Sequence, residues 1–307
     1  VHLVCPDCGA AFATAGERCP YCDAHLEPGA SVRVSTDLGR AELGERLGRG
    51  SHTEVWAAEI AGVGPVAFKR SRLGDQEGAA RIGREARLLG RCQHPGLVKL
   101  LGTAGPPDAP TGLLLPRYQR DLAKLARESL LNLDLRALAS RVAGALSCLH
   151  GAGILHRDVR AANVLVGASG GPREVAHGDY VLADLGHASG PGVAPLTPEG
   201  HVVGTHGSIA PECVAGAAAW PASDVYALGV MLFSLIAGER PFAHPELKVE
   251  LERAASEDAF PLSSYRHALP VAPELGALVE AAVHREPGRR PGLDAFVRAG
   301  AQRAAGP

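Results

Sequence analysis

Ten residues, His156-Arg157-Asp158-Val159-Arg160-Ala161-Ala162-Asn163-Val164-Leu165, constrain this chain more than any other stretch. They set an acid, two arginines and an amide between a helix-like run ending at His150 and an apolar, strand-like run. Asp158 and Asn163, five apart on a loop, can divide one reaction between them, the first accepting a proton and the second holding a metal. Phosphoryl transfer has that requirement, because positioning and charge neutralisation supply most of its catalysis. An acid-bearing loop after a helix is by itself an ordinary polar connection, so the flanking sequence decides.

The stretch resembles the catalytic loop of protein kinases, H-R-D-L-x-x-x-N. Upstream, Leu43–Trp56 reads as two antiparallel strands around a glycine-rich turn, where missing side chains let backbone amides approach phosphate oxygens. Through Gly48, Gly50 and Val55 it resembles the kinase Gly-rich loop, with Thr53 in place of the third glycine; a plain hairpin turn is the alternative. Gly64-Pro65-Val66-Ala67-Phe68-Lys69-Arg70 reads as the next strand and matches V-A-x-K. The resemblance implies that Gly48, Gly50, Ser51 and Lys69 hold the nucleotide phosphates and that Val55 and Ala67 cover the adenine. Ala79–Gly90 has helical spacing with Ile82, Ala86 and Leu89 on one face, and Glu85 on it is the expected partner of Lys69. Leu113–Tyr118 is expected to be the strand entering a hinge. Asp121 either reaches a ribose or caps the helix beginning near Leu122, and Leu133–His150 is a long buried helix.

Downstream, residues 167–178 form a Gly-rich excursion, and Tyr180–Gly186 resembles the strand and D-F-G metal site, with Leu185 for Phe. The resemblance implies that Asn163 and Asp184 hold Mg2+ or Mn2+ against ATP, hard oxygen donors for a hard cation. Gly204–Glu212 resembles the end of an activation segment, residues 190–203 being its Gly- and Pro-rich body. Thr205 is expected to touch the catalytic acid, Asp224 to brace the catalytic loop, and Glu212 to pair with Arg290. Arg160 stands where Ser/Thr kinases carry Lys and should stabilise the migrating phosphoryl group. Arg157 implies a basic pocket for a phosphate on the segment, with Thr197 the first candidate phosphosite and Ser189 the second.

The expected fold is therefore α+β: a two-lobed protein-kinase fold over residues 38–302, with an N-lobe of about 38–114 and a C-lobe of about 119–302. The implied activity is Ser/Thr protein phosphorylation, with autophosphorylation through a transient homodimer. A pseudokinase scaffold and a small-molecule phosphotransferase are the alternatives. The first would lack Lys69, Asp158 or a metal ligand, and the second would not carry residues 204–212 or the Asp224 helix.

Ahead of this lie Cys5-Pro6-Asp7-Cys8 and Cys19-Pro20-Tyr21-Cys22, two C-x2-C knuckles ten residues apart. Four thiolates presented from two tight turns suit tetrahedral Zn2+; a disulfide pair or a redox pair are the alternatives. Residues 1–27 look like a zinc ribbon, too short for a core of their own, followed by a linker over 28–37. Protein is its expected partner, since Arg18 is the basic residue inside it. Cys92, Cys148 and Cys213 are expected to be buried thiols.

Composition agrees with an ordinary soluble domain: 307 residues, 46% hydrophobic, 21% charged, net charge −2. That balance gives no electrostatic case for nucleic acid or a membrane surface. No apolar run approaches the ~20 residues of a membrane span, so the expected location is cytoplasmic. With four lysines in the chain, Lys69 is the more informative.

Overall fold

The computed structural model describes residues 3–4, 11–12, 33–72, 74–128, 130, 133–168, 180–192 and 207–301. Cys5, Cys8, Cys19, Cys22, the linker residues 28–32, Thr197 and Thr205 lie outside them. The first described strands, β1 (Leu3–Val4) and β2 (Ala11–Phe12), pair antiparallel with Leu3 opposite Phe12. Contacts then divide the chain into two compact units. One takes the residues up to Gln93 and Val98–Gln119; the other takes His94–Leu97, Arg120–Gly167 and the C-terminal part.

The first unit is a small barrel of β3 (Arg33–Thr36), β4 (Gly39–Arg49), β5 (Thr53–Ile60), β6 (Gly64–Ser71), β7 (Gly102–Ala104) and β8 (Gly112–Pro116), closed in the order β3-β4-β5-β6-β8-β7. Side chains on a strand alternate between faces. Val66, Phe68 and Leu114 therefore point into the barrel with Val34, Ala41, Ala58, Ile60 and Ala104. Gly112 is required there, because a Cβ would lie 2.3 Å from the Phe68 ring. The opposite face of β6 carries Ala67 and Lys69, which pair with Ala57 and Val55 on β5. Helix α1 (Gln76–Leu89) starts where Asp75 Oδ1 accepts the Gly78 amide at 2.8 Å, and it packs on β6. Its buried face holds Ile82, Glu85, Leu88 and Leu89, while Ala86, expected on that face, is half-buried. Glu85 takes the inner place because it has a buried cation to meet.

Strand β9 (Tyr118–Asp121), whose last two residues belong to the second unit, leads into α2 (Leu122–Glu128). Asp121 Oδ1 accepts the Lys124 amide at 2.8 Å, so of the two sequence readings the structure adopts the cap. Helix α3 (Leu135–Gly151) begins two residues later than expected, because Asp134 caps it through the Ala137 amide at 2.9 Å. Strands β10 (Val164–Ala168) and β11 (Tyr180–Leu182) pair antiparallel, with Val164 opposite Leu182. After α4 (Pro211–Val214) comes α5 (Pro221–Ala237), buried on nearly every side, as an apolar 17-residue helix must be. Helices α6 (Leu247–Ser256), α7 (Pro273–Ala282) and α8 (Leu293–Ala301) complete the unit. Gly229 lets α7 approach α5, since a Cβ there would stand 2.6 Å from that of Ala282. No described helix is long and apolar enough to cross a membrane. Cys92 is buried as expected, but Cys148 and Cys213 are half-buried. Cys213 sits on the short helix α4, whose single turn cannot cover it, although burial still pushes its thiol pKa up.

Candidate active site

The barrel unit carries Lys69, Glu85 and the glycine-rich turn. Lys69 Nζ donates to Glu85 Oε2 at 2.6 Å, with side chains only 7% and 1% exposed. Removing either partner deprives a buried charge of this contact, a loss of about 3–5 kcal/mol. Val55 stands directly across from Lys69, with Ala67 two residues away on the same face, which presents a cation beside a small apolar patch. The turn between β4 and β5 is closed by Gly50 N donating to Thr53 O at 2.8 Å. Neither Gly48 nor Gly50 has a positive φ. A Cβ at Gly48 would meet nothing within 4 Å, and one at Gly50 only Thr53 atoms at 3.6 and 3.7 Å. Neither conformation nor packing therefore calls for glycine at these two positions. Ser51 is exposed on the same turn.

The second unit carries Asp158, Asn163 and Asp184. Asn163, at the end of a 3-10 turn (Ala161–Asn163), donates its Nδ2 to both the backbone oxygen and Oδ2 of Asp158, each at 2.8 Å. That commits both amide protons and leaves Oδ1 as the atom for a cation. The Asn163 carbonyl accepts the Ala183 amide at 2.8 Å, which ties the loop to Asp184. His156, fully buried, accepts the Asp158 amide at Nδ1 (3.3 Å) and lies 3.2 Å from Ala183 O through Nε2, so Nε2 carries the proton. Arg157 and Asp184 are the two described non-glycine residues in the left-handed region, at φ 66° and 68°. Such backbone costs on the order of 1–3 kcal/mol and persists where surroundings over-determine it.

Asp224 supplies that constraint at Arg157. Its Oδ1 accepts the Arg157 amide at 2.8 Å, and its Oδ2 accepts the His156 amide at 2.9 Å and His150 Nε2 at 2.8 Å. His150 was not singled out in the sequence; its place in the last turn of α3, six residues before His156, was the available signal. Glu212 and Arg290 meet in the same unit through two 2.8 Å hydrogen bonds, and Ser223 Oγ donates to Glu212 Oε1 at 2.8 Å. Burial pushes the Glu212 carboxyl up, but the Arg290 hydrogen bonds and charge, with Ser223, hold it below the ordinary carboxylate range. Arg160 is half-buried on the His156–Leu165 stretch. Ser189 has both backbone groups bonded to Leu155, at 2.8 and 3.0 Å.

Among the described residues no three His, Cys, Asp or Glu side chains gather into a metal site. Asn163 and Asp184, whose segments are joined by the Ala183–Asn163 backbone bond, would offer two side-chain oxygens. Such a set fits Mg2+, which keeps waters and takes phosphate oxygens for the rest of its shell.

Comparison with known proteins shows the family of the chain. Residues 41–299 match the family model described as protein kinase domain. The probable serine/threonine-protein kinase CE0033 of Corynebacterium efficiens is 32% identical over 74% of this chain and 35% of its own length. The serine/threonine-protein kinase PknA of Mycobacterium tuberculosis is 32% identical over 69% and 50%. PkaA of Streptomyces coelicolor, also a serine/threonine-protein kinase, is 30% identical over 83% and 48%. The chain thus spans half or less of the length of these three relatives. With an ordered series of motifs inside the matched span, the chain belongs to the protein kinase domain family.

Proposed function

We propose that this protein is a serine/threonine protein kinase that transfers the γ-phosphoryl group of Mg-ATP to protein hydroxyls. The observation that carries the reading is the Asp158–Asn163 pair: an acid 8% exposed, held by an amide at 2.8 Å, on a loop whose backbone Asp224 grips. An acid fixed this way can accept a hydroxyl proton without reorienting first. The names of the relatives support the same substrate class. Lys69, steadied by Glu85, together with the amides of the Gly48–Ser51 turn, holds the phosphates, and Val55 and Ala67 lie against the base. Arg160 stabilises the migrating group. When bound through Asn163 and Asp184, Mg2+ or Mn2+ neutralises phosphate charge.

The remaining assignments extend this reading. Residues 1–27 are a zinc ribbon with Cys5, Cys8, Cys19 and Cys22 as ligands, and the kinase domain runs to about 302; its start lies before the expected residue 38, because Arg33–Thr36, expected in the linker, pair with β4 as a barrel strand. Support comes from β1 and β2, which flank the first knuckle in sequence and pair antiparallel. The ribbon recruits a protein partner, and the kinase works in the cytoplasm. Arg157 receives a phosphate placed on Thr197 or Ser189 by a second copy of the chain.

The test is transfer of labelled γ-phosphate to generic protein acceptors by wild type and Asp158→Asn. Wild type should label Ser and Thr, and the variant should retain nucleotide binding while losing about 10²–10⁴-fold in turnover. An inactive wild type, or an unimpaired variant, overturns the reading.

A further inference from the structure

The tip of the glycine-rich turn is tied to the start of α1. His52 Nδ1 lies 3.0 Å from Asp75 Oδ2, and its Nε2 lies 3.7 Å from Glu77 Oε1. Asp75 is the residue that caps α1 through its other oxygen, so one carboxylate serves both the helix and the turn. The backbone is joined as well. Arg72 donates its amide to His52 O and its Nη1 to Ser51 O, both at 2.9 Å. Gly78 in the first turn of α1 lies so close that a Cβ there would stand 2.3 Å from His52 O. The Asp75 carboxyl is held below its ordinary range, chiefly by the Gly78 amide and, against its own desolvation, also by His52.

Helix α1 carries Glu85, which fixes Lys69 at 2.6 Å. The turn and the lysine are the two groups assigned to the phosphates, and His52 links the first to the helix that positions the second. We propose that His52 is a positioning residue for the nucleotide: through Asp75 it keeps the Gly48–Thr53 turn in register with α1. This deepens the kinase reading and rests on it. A turn that spends less time in the binding conformation weakens apparent affinity in proportion, with no change in the chemical step. Thr53, where the related loops have a third glycine, works in the same direction by removing freedom from the turn.

The test uses the full chain and the variants His52→Ala, His52→Asn and Asp75→Ser, with the Ala/Ser double variant. Serine still caps α1 but is too short to reach His52. Asparagine places an amide nitrogen close to where Nδ1 stood. His52→Ala and Asp75→Ser should each raise the KM for ATP about three- to fivefold, the size of a part-buried charged contact, with kcat unchanged within about twofold. The double variant should be no worse than either single one, and His52→Asn should restore most of the affinity. Amide hydrogen exchange over residues 49–53 should quicken in His52→Ala. Unchanged KM, additive losses or unchanged exchange overturns the proposal. A wild type without transferase activity refutes the kinase reading alone, because hydrogen exchange still reports whether His52 holds the turn.

Discussion

Arg290 and Glu212, 78 residues apart in sequence, face each other through two parallel hydrogen bonds of 2.8 Å. The guanidinium spends its other N–H groups on carbonyls: Nε on His284 O at 2.8 Å, Nη1 on Ala222 O at 2.9 Å, and Nη2 on Arg285 O at 3.1 Å. It also lies 4.9 Å over the Tyr226 ring. One side chain thereby joins α4, α5 and the turn before α8. Replacing Arg290 by Ala should cost about 3–5 kcal/mol, because Glu212 and three carbonyls lose their donor together. Urea unfolding measures the loss, and Arg290→Lys should recover only part of it, since an ammonium cannot reproduce the fork.

The same pair sets a response to acid. The folded-state pKa of Glu212 lies below its ordinary value of 4.5, so its contribution is fully present above that value and disappears as pH falls through the folded pKa. Wild type should therefore exceed Glu212→Gln in stability most at neutral pH, and the gap should narrow on acidification below about pH 4.5. Chemical denaturation of both proteins between neutrality and acid measures it; a constant gap refutes the linkage.

At Gly48 stability and binding should separate. The position sits in β4 with room for a methyl group and no positive φ. Gly48→Ala should leave unfolding unchanged or make the protein more stable by about 0.5–1 kcal/mol. If the turn meets phosphates, the same methyl group should weaken Mg-ATP binding by about tenfold or more, the worth of a hydrogen bond to a charged group. Calorimetric titration beside thermal unfolding distinguishes the two effects.

Asp224 touches neither substrate nor nucleotide in the proposed scheme, yet it holds the amides of His156 and Arg157 and the ring of His150. In Asp224→Asn one acceptor becomes a donor, and Arg157 loses part of what keeps it at φ 66°. Turnover should fall about 10- to 100-fold through misplacement of Asp158, while the Kd for Mg-ATP stays within about twofold of wild type. Equal losses in both would contradict a role confined to the loop.

For the ribbon, purified full-length protein should carry one zinc per chain by elemental analysis. A Cys5→Ser/Cys22→Ser variant should lose it and keep the unfolding transition of the kinase domain. Absence of zinc from protein purified without chelator would refute the four-cysteine site.

Local chemistry made the elements that carry the candidate site residues readable in advance. An acid and an amide five apart, a lysine closing an apolar strand, and an acid at helical spacing from apolar positions are short-range patterns, and the strands and helices that carry them follow the same periodicities. The limits of α3 and the place of Ala86 were less readable. The first depended on which acid capped the helix, and the second on Glu85 turning inward to a cation sixteen residues away. Cys148 and Cys213 escaped for a related reason: exposure depends on what other elements cover.

What the sequence determined by itself was the kind and order of chemical groups: the Gly-rich turn, Lys69, Glu85, Asp158, Asn163, Asp184, Glu212, Asp224 and Arg290, each in a recognisable local setting. Tertiary structure decided which of them share a carboxylate. His52 reaches Asp75 across 23 residues and Asp224 takes the His150 ring across 74, neither of them expected, whereas the Arg290–Glu212 pair across 78 was expected through the family resemblance alone. Those pairings depend on strand register and helix packing, which bring distant side chains within hydrogen-bonding range, and no spacing along the chain encodes them.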